Sequence, residues 1–449
     1  MLKELRKLFI AFGFQGAAFG AIGVIISLFV VIVLGGNVAN GSVASAFYAI
    51  GNLLGSMIVG IIIDKYQRFF EVVFVSVVVD ATVSVFMSFT DNLYIYYILA
   101  LTLGTFAAMM GPSITIYLNK KFDESLYRKN INTMNLFNSV GVTVGTFVGG
   151  LWLSYFPFMS NGTEKMRFVF FIASFLLIIA IIFSGGYIKR KEFFRTFKSK
   201  KFIPNMHSLA DHITSIPHNI VLSISSRGFK PGTGKYMGSI FMIFFGANMI
   251  FSIFSIYLAE VLKISSGMIF IIYGMNNILT NVAYFLTNPI TKRLPDALIV
   301  RSALWTRIIL FSSIAVSGYF LPFGVFITVI AFLIVGFTWP FFYIPTTVHV
   351  TDLALPTDRG RIIGLFNVTI NFAVIAASFI SGYIALKFGY ITSFILGIVF
   401  LFFGERFIYK LNVVRPISKE DFSALSKKNG NRVSDKSLDE KNLASQEKL

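Results

Sequence analysis

The sequence predicts an all-α membrane protein of twelve transmembrane helices, on three observations. Mean hydropathy is +0.75 and only 13% of the 449 residues are charged, against about 25% in a soluble domain. Twelve apolar runs are each long enough to cross a bilayer, which takes about 20 residues. The loops between them alternate between basic and nearly uncharged.

The predicted spans run over roughly 8–34, 43–63, 70–88, 93–118, 130–156, 168–188, 237–260, 267–288, 302–320, 322–349, 362–386 and 388–410. The first follows the basic stretch MLKELRK. It is span length and has no small-residue cleavage site, so it reads as a membrane helix and not as a removed signal peptide. The close ninth and tenth spans are split by a turn at Pro322 to Gly324.

Charge sets the expected orientation. One face carries Lys3, Arg6 and Lys7, then Lys65 and Arg68, then Lys120, Lys121, Arg128 and Lys129. It continues with the segment from Lys189 to Lys235, Lys292 and Arg293, Arg359 and Arg361, and the tail. The other face carries Lys165, Arg167, Lys263 and Lys387. The excess of Lys and Arg places both termini in the cytoplasm, and a plasma membrane location is expected. Asn161-Gly162-Thr163 matches a glycosylation sequon on the outer side, a short pattern that also arises by chance.

The net charge of +18 sits in these loops, so it reads as topology and anionic-lipid contact rather than nucleic-acid binding. With no cysteine in the chain, disulfides, thiolate metal sites and thiol catalysis are excluded. No cofactor or metal is expected. The chain divides into a first six-span set (1–188), a central cytoplasmic loop (189–236), a second six-span set (237–412) and a polar tail (413–449). The central loop opens with KRKEFFRTFKSKK, suited to an anionic leaflet. It continues through Ile203–Ile224, which is either an interfacial helix or a tether. The tail has the composition of a disordered segment.

The halves look repeated. LYRKNINTMNLFN ends at Asn138 and PTDRGRIIGLFN ends at Asn367, each a basic loop leading into a span with Leu-Phe-Asn at the same depth. Small residues follow: Gly141, Gly145 and Gly149 in span five, and Ala377, Ser378, Ser381 and Gly382 in span eleven. Spacing of four puts small side chains on one face, where helices can approach closely.

The loop after span two reads GIIIDKYQR, from Gly60 to Arg68. Charge at the bilayer centre costs at least ~2.5–3.5 kcal/mol, so Asp64, Lys65 and Arg68 mark a water-facing turn, and Gly60 lets another helix approach above it. The corresponding loop after span eight reads TNPITKR, with Asn288 in place of the acid and Lys292 and Arg293 beyond. With the six-plus-six layout and the basic central loop, this resembles the major facilitator superfamily across residues 1 to 412. The resemblance implies two pseudo-symmetric six-helix bundles around a central cavity. Spans one, four, seven and ten would line it, and two, five, eight and eleven would join the bundles. Spans three, six, nine and twelve would lie outside.

Transport needs a midplane site and alternating gates. The resemblance implies a gate built from Gly60, Asp64, Lys65, Arg68, Arg128 and Arg359, with Asp64 against the N-terminus of span eleven, whose partial positive charge favours a carboxylate. Asp80, in mid-span three, is a candidate proton carrier, because an intramembrane carboxylate is a functional hypothesis by default. A neutral, hydrogen-bonded structural role is the alternative. Arg307, Glu405 and Arg406 read as interfacial side chains that snorkel outward.

Candidate substrate contacts are Gln15 in span one, Thr105 and Met109 in span four, Asn248 in span seven, and Trp339 and Tyr343 in span ten. Ser252 and Tyr257 share the presumed lining of span seven, and Gly111-Pro112, Pro340 and Pro345 are expected bending points. Two family features are missing. Ala100 stands where proton-coupled members carry an Arg ahead of Gly104, and Thr146 replaces the Pro of the antiporter glycine pattern in GVTVGTFVGG.

The function expected is secondary transport of a small organic solute by alternating access. A neutral lining points to a neutral or amphipathic cargo and to efflux. Uptake of a sugar or other metabolite is the alternative. Expected partners are the solute, membrane lipids and a coupled proton, with no nucleic acid, in a monomer. A channel would need a continuous polar stripe and an enzyme a catalytic cluster at depth; neither pattern appears, nor does a phosphate-binding Gly-Lys-Ser/Thr loop.

Overall fold

The computed structural model describes residues 2–66, 68–155, 162–185, 229, 232–320, 323–354 and 358–410. Among them are twelve helices: α1 (Leu2–Ile32), α2 (Val38–Tyr66), α3 (Phe69–Phe89), α4 (Leu93–Lys121), α5 (Glu124–Tyr155), α6 (Gly162–Gly185), α7 (Thr233–Glu260), α8 (Ser266–Thr291), α9 (Asp296–Ser317), α10 (Phe323–Asp352), α11 (Arg359–Phe388) and α12 (Tyr390–Lys410). All twelve are long and apolar enough to cross a membrane. Lipid offers no partner to a bare peptide group, so each crossing segment satisfies its backbone internally as helix. Most of the central loop, the sequon at Asn161 and the tail lie outside the described residues.

The helices pair by the same rule in each half. In the first, α1 packs on α5 and α6, α2 on α4, and α3 on α4 and α6. In the second, α7 packs on α11 and α12, α8 on α10, and α9 on α10 and α12. The halves therefore form two six-helix bundles of matching design. They meet through α2 on α11 and α5 on α8, with α1 touching α7.

Backbone proximity explains the pairing. A Cβ added at Gly145 would sit 1.7 Å from the carbonyl oxygen of Ala17, and one at Gly141 would sit 2.0 Å from that of Gly13. Only glycine lets α5 lie that close to α1. The α2–α4 seam uses Gly51, Gly55 and Gly104 in the same way, with a Cβ at Gly55 falling 1.9 Å from the Thr105 oxygen. Gly60 differs from expectation: nothing among the described residues lies within 4 Å of its would-be Cβ. The close approach on α2 lies one to three turns earlier. Helix α10 stays continuous through the expected bending points Pro340 and Pro345. Helix α4 likewise continues through Pro112.

Candidate functional site

With an even number of crossings, the start of α1 and the end of α12 share one face, here called the terminal face. At the opposite face the bundles close on each other. Ser27 of α1 and Ser255 of α7 share a buried hydrogen bond of 3.0 Å. The Gly382 position on α11 abuts Ser42 and Ala39 in the first turns of α2. Deeper, Phe47 of α2 meets Phe379 of α11 edge-on at 6.2 Å.

The α5–α8 contact begins at that face, where Gly267 lies against Ser154 and Gly150, and reaches the midplane as polar rungs. The Asn277 amide lies 3.4 Å from the Thr146 hydroxyl. The Asn281 amide donates to Thr143 at 3.2 Å, and Ser139 donates to the Asn281 side-chain oxygen. The neighbouring Asn276 donates to the Phe332 carbonyl of α10 at 2.6 Å. These asparagines were not among the residues expected from the sequence. Their signal was present: Asn277 and Asn281 are four apart in an apolar span, on one helix face.

Asp80 is fully buried at mid-length of α3. Among the described residues neither carboxylate oxygen makes a hydrogen bond of ordinary geometry. Its polar neighbour is Gln15 of α1, itself 2% exposed, whose amide nitrogen is buried without an acceptor. The hydroxyl of Tyr48 on α2 lies within electrostatic range. The structure therefore brings Gln15 and Asp80 together inside the first bundle. An unpaired polar group in such surroundings is costly, which sets this carboxylate apart from the structural acids of the chain.

Other expected residues scatter. Met109 is buried among Val59, Ile63 and Val72 in the core between α2, α3 and α4. Thr105 is half-buried, and its hydroxyl donates to the Leu101 carbonyl at 2.8 Å. Asn248 is half-buried and donates to the Phe244 carbonyl at 2.8 Å. Ser252 is tied to Ser381 of α11 at 2.7 Å. Tyr257 is buried, with Ser317 3.1 Å from its hydroxyl.

Trp339 and Tyr343 are half-buried and stack on each other at 5.1 Å and 16°. Phe244 of α7 meets the indole edge-on at 5.8 Å. Of the expected gate, the side chains of Asp64, Lys65 and Arg128 lie outside the described residues. Arg68 is half-buried and directly precedes α3, with one terminal nitrogen buried and making no hydrogen bond among the described residues. Arg359 is exposed as the first residue of α11.

Two expectations need correction. Arg307 does not snorkel. It is 3% exposed, donates from Nη2 to the Val335 carbonyl of α10 at 2.9 Å, and lies 5.3 Å from the centre of the Trp339 ring. Glu405 is 1% exposed and accepts from Arg301 at 3.1 Å and from the Trp305 indole at 3.2 Å. Long polar side chains near a helix end snorkel by default, but tertiary partners on neighbouring helices hold these two inside. Arg406 is exposed, as expected.

Comparison with known proteins supports the same architecture. The family model described as Major Facilitator Superfamily matches residues 8–354 and 236–434. No curated protein sequence matches the chain. Among solved structures, a crystal structure of the nucleoside transporter NupG superposes with a TM-score of 0.69 at 15% identity, covering 90% of this chain and 99% of that one. A D-xylose-proton symporter gives 0.69 at 12% identity over 92% and 98%. A bacterial homolog of the human lysosomal transporter Spinster, in an inward-facing and occupied conformation, gives 0.66 at 13% identity over 92% and 96%. At these identities the likeness is one of fold, and fold alone does not assign a cargo. With the family model spanning nearly all of both bundles, the chain belongs to the Major Facilitator Superfamily.

Proposed function

We propose that this protein is a secondary active transporter that moves a small organic solute across the plasma membrane by alternating access. Both termini, the central loop (189–236) and the tail (413–449) are cytoplasmic in this reading. The bundles (1–188 and 237–412) are the moving parts, and the monomer in its lipid is the working unit. The observation that carries it is the seam at the face opposite the termini. Ser27–Ser255, Gly382–Ser42 and Gly267–Ser154 close one face through small side chains, the kind of contact that separates as two rigid bodies rock. With the termini inside, this seam closes the outer face, and the gate around Asp64, Lys65, Arg68, Arg128 and Arg359 is assigned to the cytoplasmic face.

Asp80 is the coupling residue. Its carboxylate is buried at mid-span beside Gln15, with no hydrogen bond of ordinary geometry among the described residues. A proton gives the neutral acid that such a site accommodates. The half-buried aromatic wall of Trp339 and Tyr343 suits an amphipathic cargo and efflux. Thr105, Met109, Asn248 and Gln15 support the pathway around it. Uptake is the second reading, favoured by the similar structures, a nucleoside transporter and a D-xylose-proton symporter.

The test is reconstitution into proteoliposomes with an imposed proton gradient of either sign. Saturable solute flux with counterflow is expected. Asp80→Asn should abolish gradient-driven accumulation while exchange persists. Accumulation at the wild-type level in that variant refutes the coupling assignment, and flux without counterflow refutes the carrier.

A further inference from the structure

The surroundings of Asp80 are polar but leave atoms open. Both carboxylate oxygens and the amide nitrogen of Gln15 are buried, and among the described residues none of the three makes a hydrogen bond of ordinary geometry. Yet Gln15 is the polar neighbour of Asp80. Helices α1 and α3 each pack on α6, and the Gln15 side chain reaches toward α3 across that junction. It leaves α1 on the face opposite Gly13 and Ala17, which lie against α5.

No fixed charge competes for the carboxylate. The stretches 8–32 of α1, 38–60 of α2, 93–119 of α4 and 168–184 of α6 contain no Asp, Glu, Lys, Arg or His. The titratable group that faces Asp80 is the Tyr48 hydroxyl of α2, which has Asn52 as its partner. Nearby serines are engaged elsewhere. Ser174 of α6 donates to the Ala81 carbonyl at 3.0 Å, and Ser84 donates to the Asp80 backbone carbonyl at 2.8 Å. A Lys or Arg in place of Gln15 would hold the carboxylate ionised, and an apolar residue would hold it neutral. A primary amide does neither. It carries two N–H donors and a carbonyl acceptor, and half a turn of its terminal torsion exchanges them.

We propose that Gln15 is a positioning residue for the proton on Asp80. Its amide donates to the carboxylate when Asp80 is ionised and, turned over, accepts from the carboxylic acid when Asp80 is protonated. This deepens the carrier reading and rests on Asp80 as its coupling residue. It also takes Gln15 out of the solute lining, because a side chain 2% exposed presents nothing to a solute. The location of the amide gives the turn its consequence. On α5, the Thr146 hydroxyl donates to the Gly20 carbonyl of α1 at 3.1 Å and lies 3.4 Å from the Asn277 amide of α8. The helix that senses the proton is therefore the one bonded to the inter-bundle rungs.

The experiment uses infrared difference spectra between acid and alkaline pH, recorded on the full-length protein in lipid vesicles. The chain holds three glutamines, Gln15, Gln67 and Gln446, so a heavy-carbon label on the glutamine side-chain carbonyl gives a sparse set of reporters. The acid band of Asp80 is the one missing from Asp80→Asn. One labelled amide band should shift with the same pH midpoint as that acid band, and the shift should be absent from Asp80→Asn. Gln15→Met keeps the length and removes donor and acceptor. There the labelled shift should vanish, the acid band should move to higher frequency as its bond is lost, and gradient-driven accumulation should fall to the level of Asp80→Asn. A labelled amide that does not titrate with the acid band, an acid band unmoved in Gln15→Met, or wild-type accumulation in that variant each overturns the positioning role and leaves Asp80 as the coupling residue. The wild-type labelling result decides the matter where Gln15→Met does not fold. If Asp80→Asn removes no acid band, the carboxylate never exchanges its proton, and the coupling assignment falls together with the role of Gln15.

Discussion

Gly382 is the point at which the proposed motion can be biased by one carbon atom. Its would-be Cβ lies 1.8 Å from the Ser42 Oγ, 2.7 Å from the Ser42 Cβ and 2.8 Å from the Ala39 Cα. The hydroxyl can rotate away, at the expense of its 2.9 Å bond to the Ala39 carbonyl. The two carbons cannot, because one is backbone and the other is fixed to it. Relaxing them to a contact distance of about 3.5 Å needs α11 and α2 to part by roughly 0.8 Å. Overpacking of this kind costs about 1–3 kcal/mol. The strain falls between the bundles, so Gly382→Ala penalises only the state with the opposite face closed. The population should move toward the alternate state by about 5- to 150-fold. With no native cysteine, Ser255→Cys gives a clean reporter at the closed seam. Labelling by a membrane-impermeant maleimide from the opposite face should accelerate in Gly382→Ala over the reporter alone. Gly364→Ala on the same helix, with nothing within 4 Å, should be silent. An unchanged rate in Gly382→Ala, or equal acceleration in Gly364→Ala, refutes the seam as the moving contact.

Three other outcomes follow from the same geometry. The 3.0 Å hydroxyl separation at Ser27 and Ser255 suits a disulfide, so oxidising Ser27→Cys with Ser255→Cys should stop transport and a reductant should restore it. Replacing Asn281 by Leu removes its bonds to Ser139 and Thr143; it should lower stability by about 0.6–1.7 kcal/mol in chemical denaturation, and no loss would mean the rungs are idle. Removing Arg301 strands the buried Glu405, although Arg301 is 40% exposed. Arg301→Gln should therefore cost about 1–3 kcal/mol, and most of that loss should vanish in the double variant with Glu405→Gln. Additive losses would break that link.

Sequence reasoning read the number and order of crossings because each helix must be apolar for about 20 residues to lie in lipid. It misjudged ends where helix outlasts apolarity. The expected span from about 130 is a helix from Glu124, whose first turns are ESLYRK. Hydropathy does not report a helix that continues into water. The α1–α5 seam was legible from the four-residue spacing of Gly141 and Gly145, but Gly60 was credited with a contact made earlier on α2 by Gly51 and Gly55. Asp80 stood out as a charge in mid-span. Its proximity to Gln15, 65 positions away in the chain, did not. Arg307 and Glu405 were assigned to the interface because their partners, Val335 and Arg301, are close only after folding.

The rungs joining α5 to α8 sit halfway through the bilayer, and the inter-bundle contacts of Gly382 and Gly267 sit at one end. In a rigid lever, travel grows with distance from the axle. In the proposed rocking motion, amide–hydroxyl bonds at the hub would swing and barely lengthen, while Gly382 and Gly267 at the rim would take the full excursion. Evolution could therefore retune the resting position through rim residues and leave the bearing untouched.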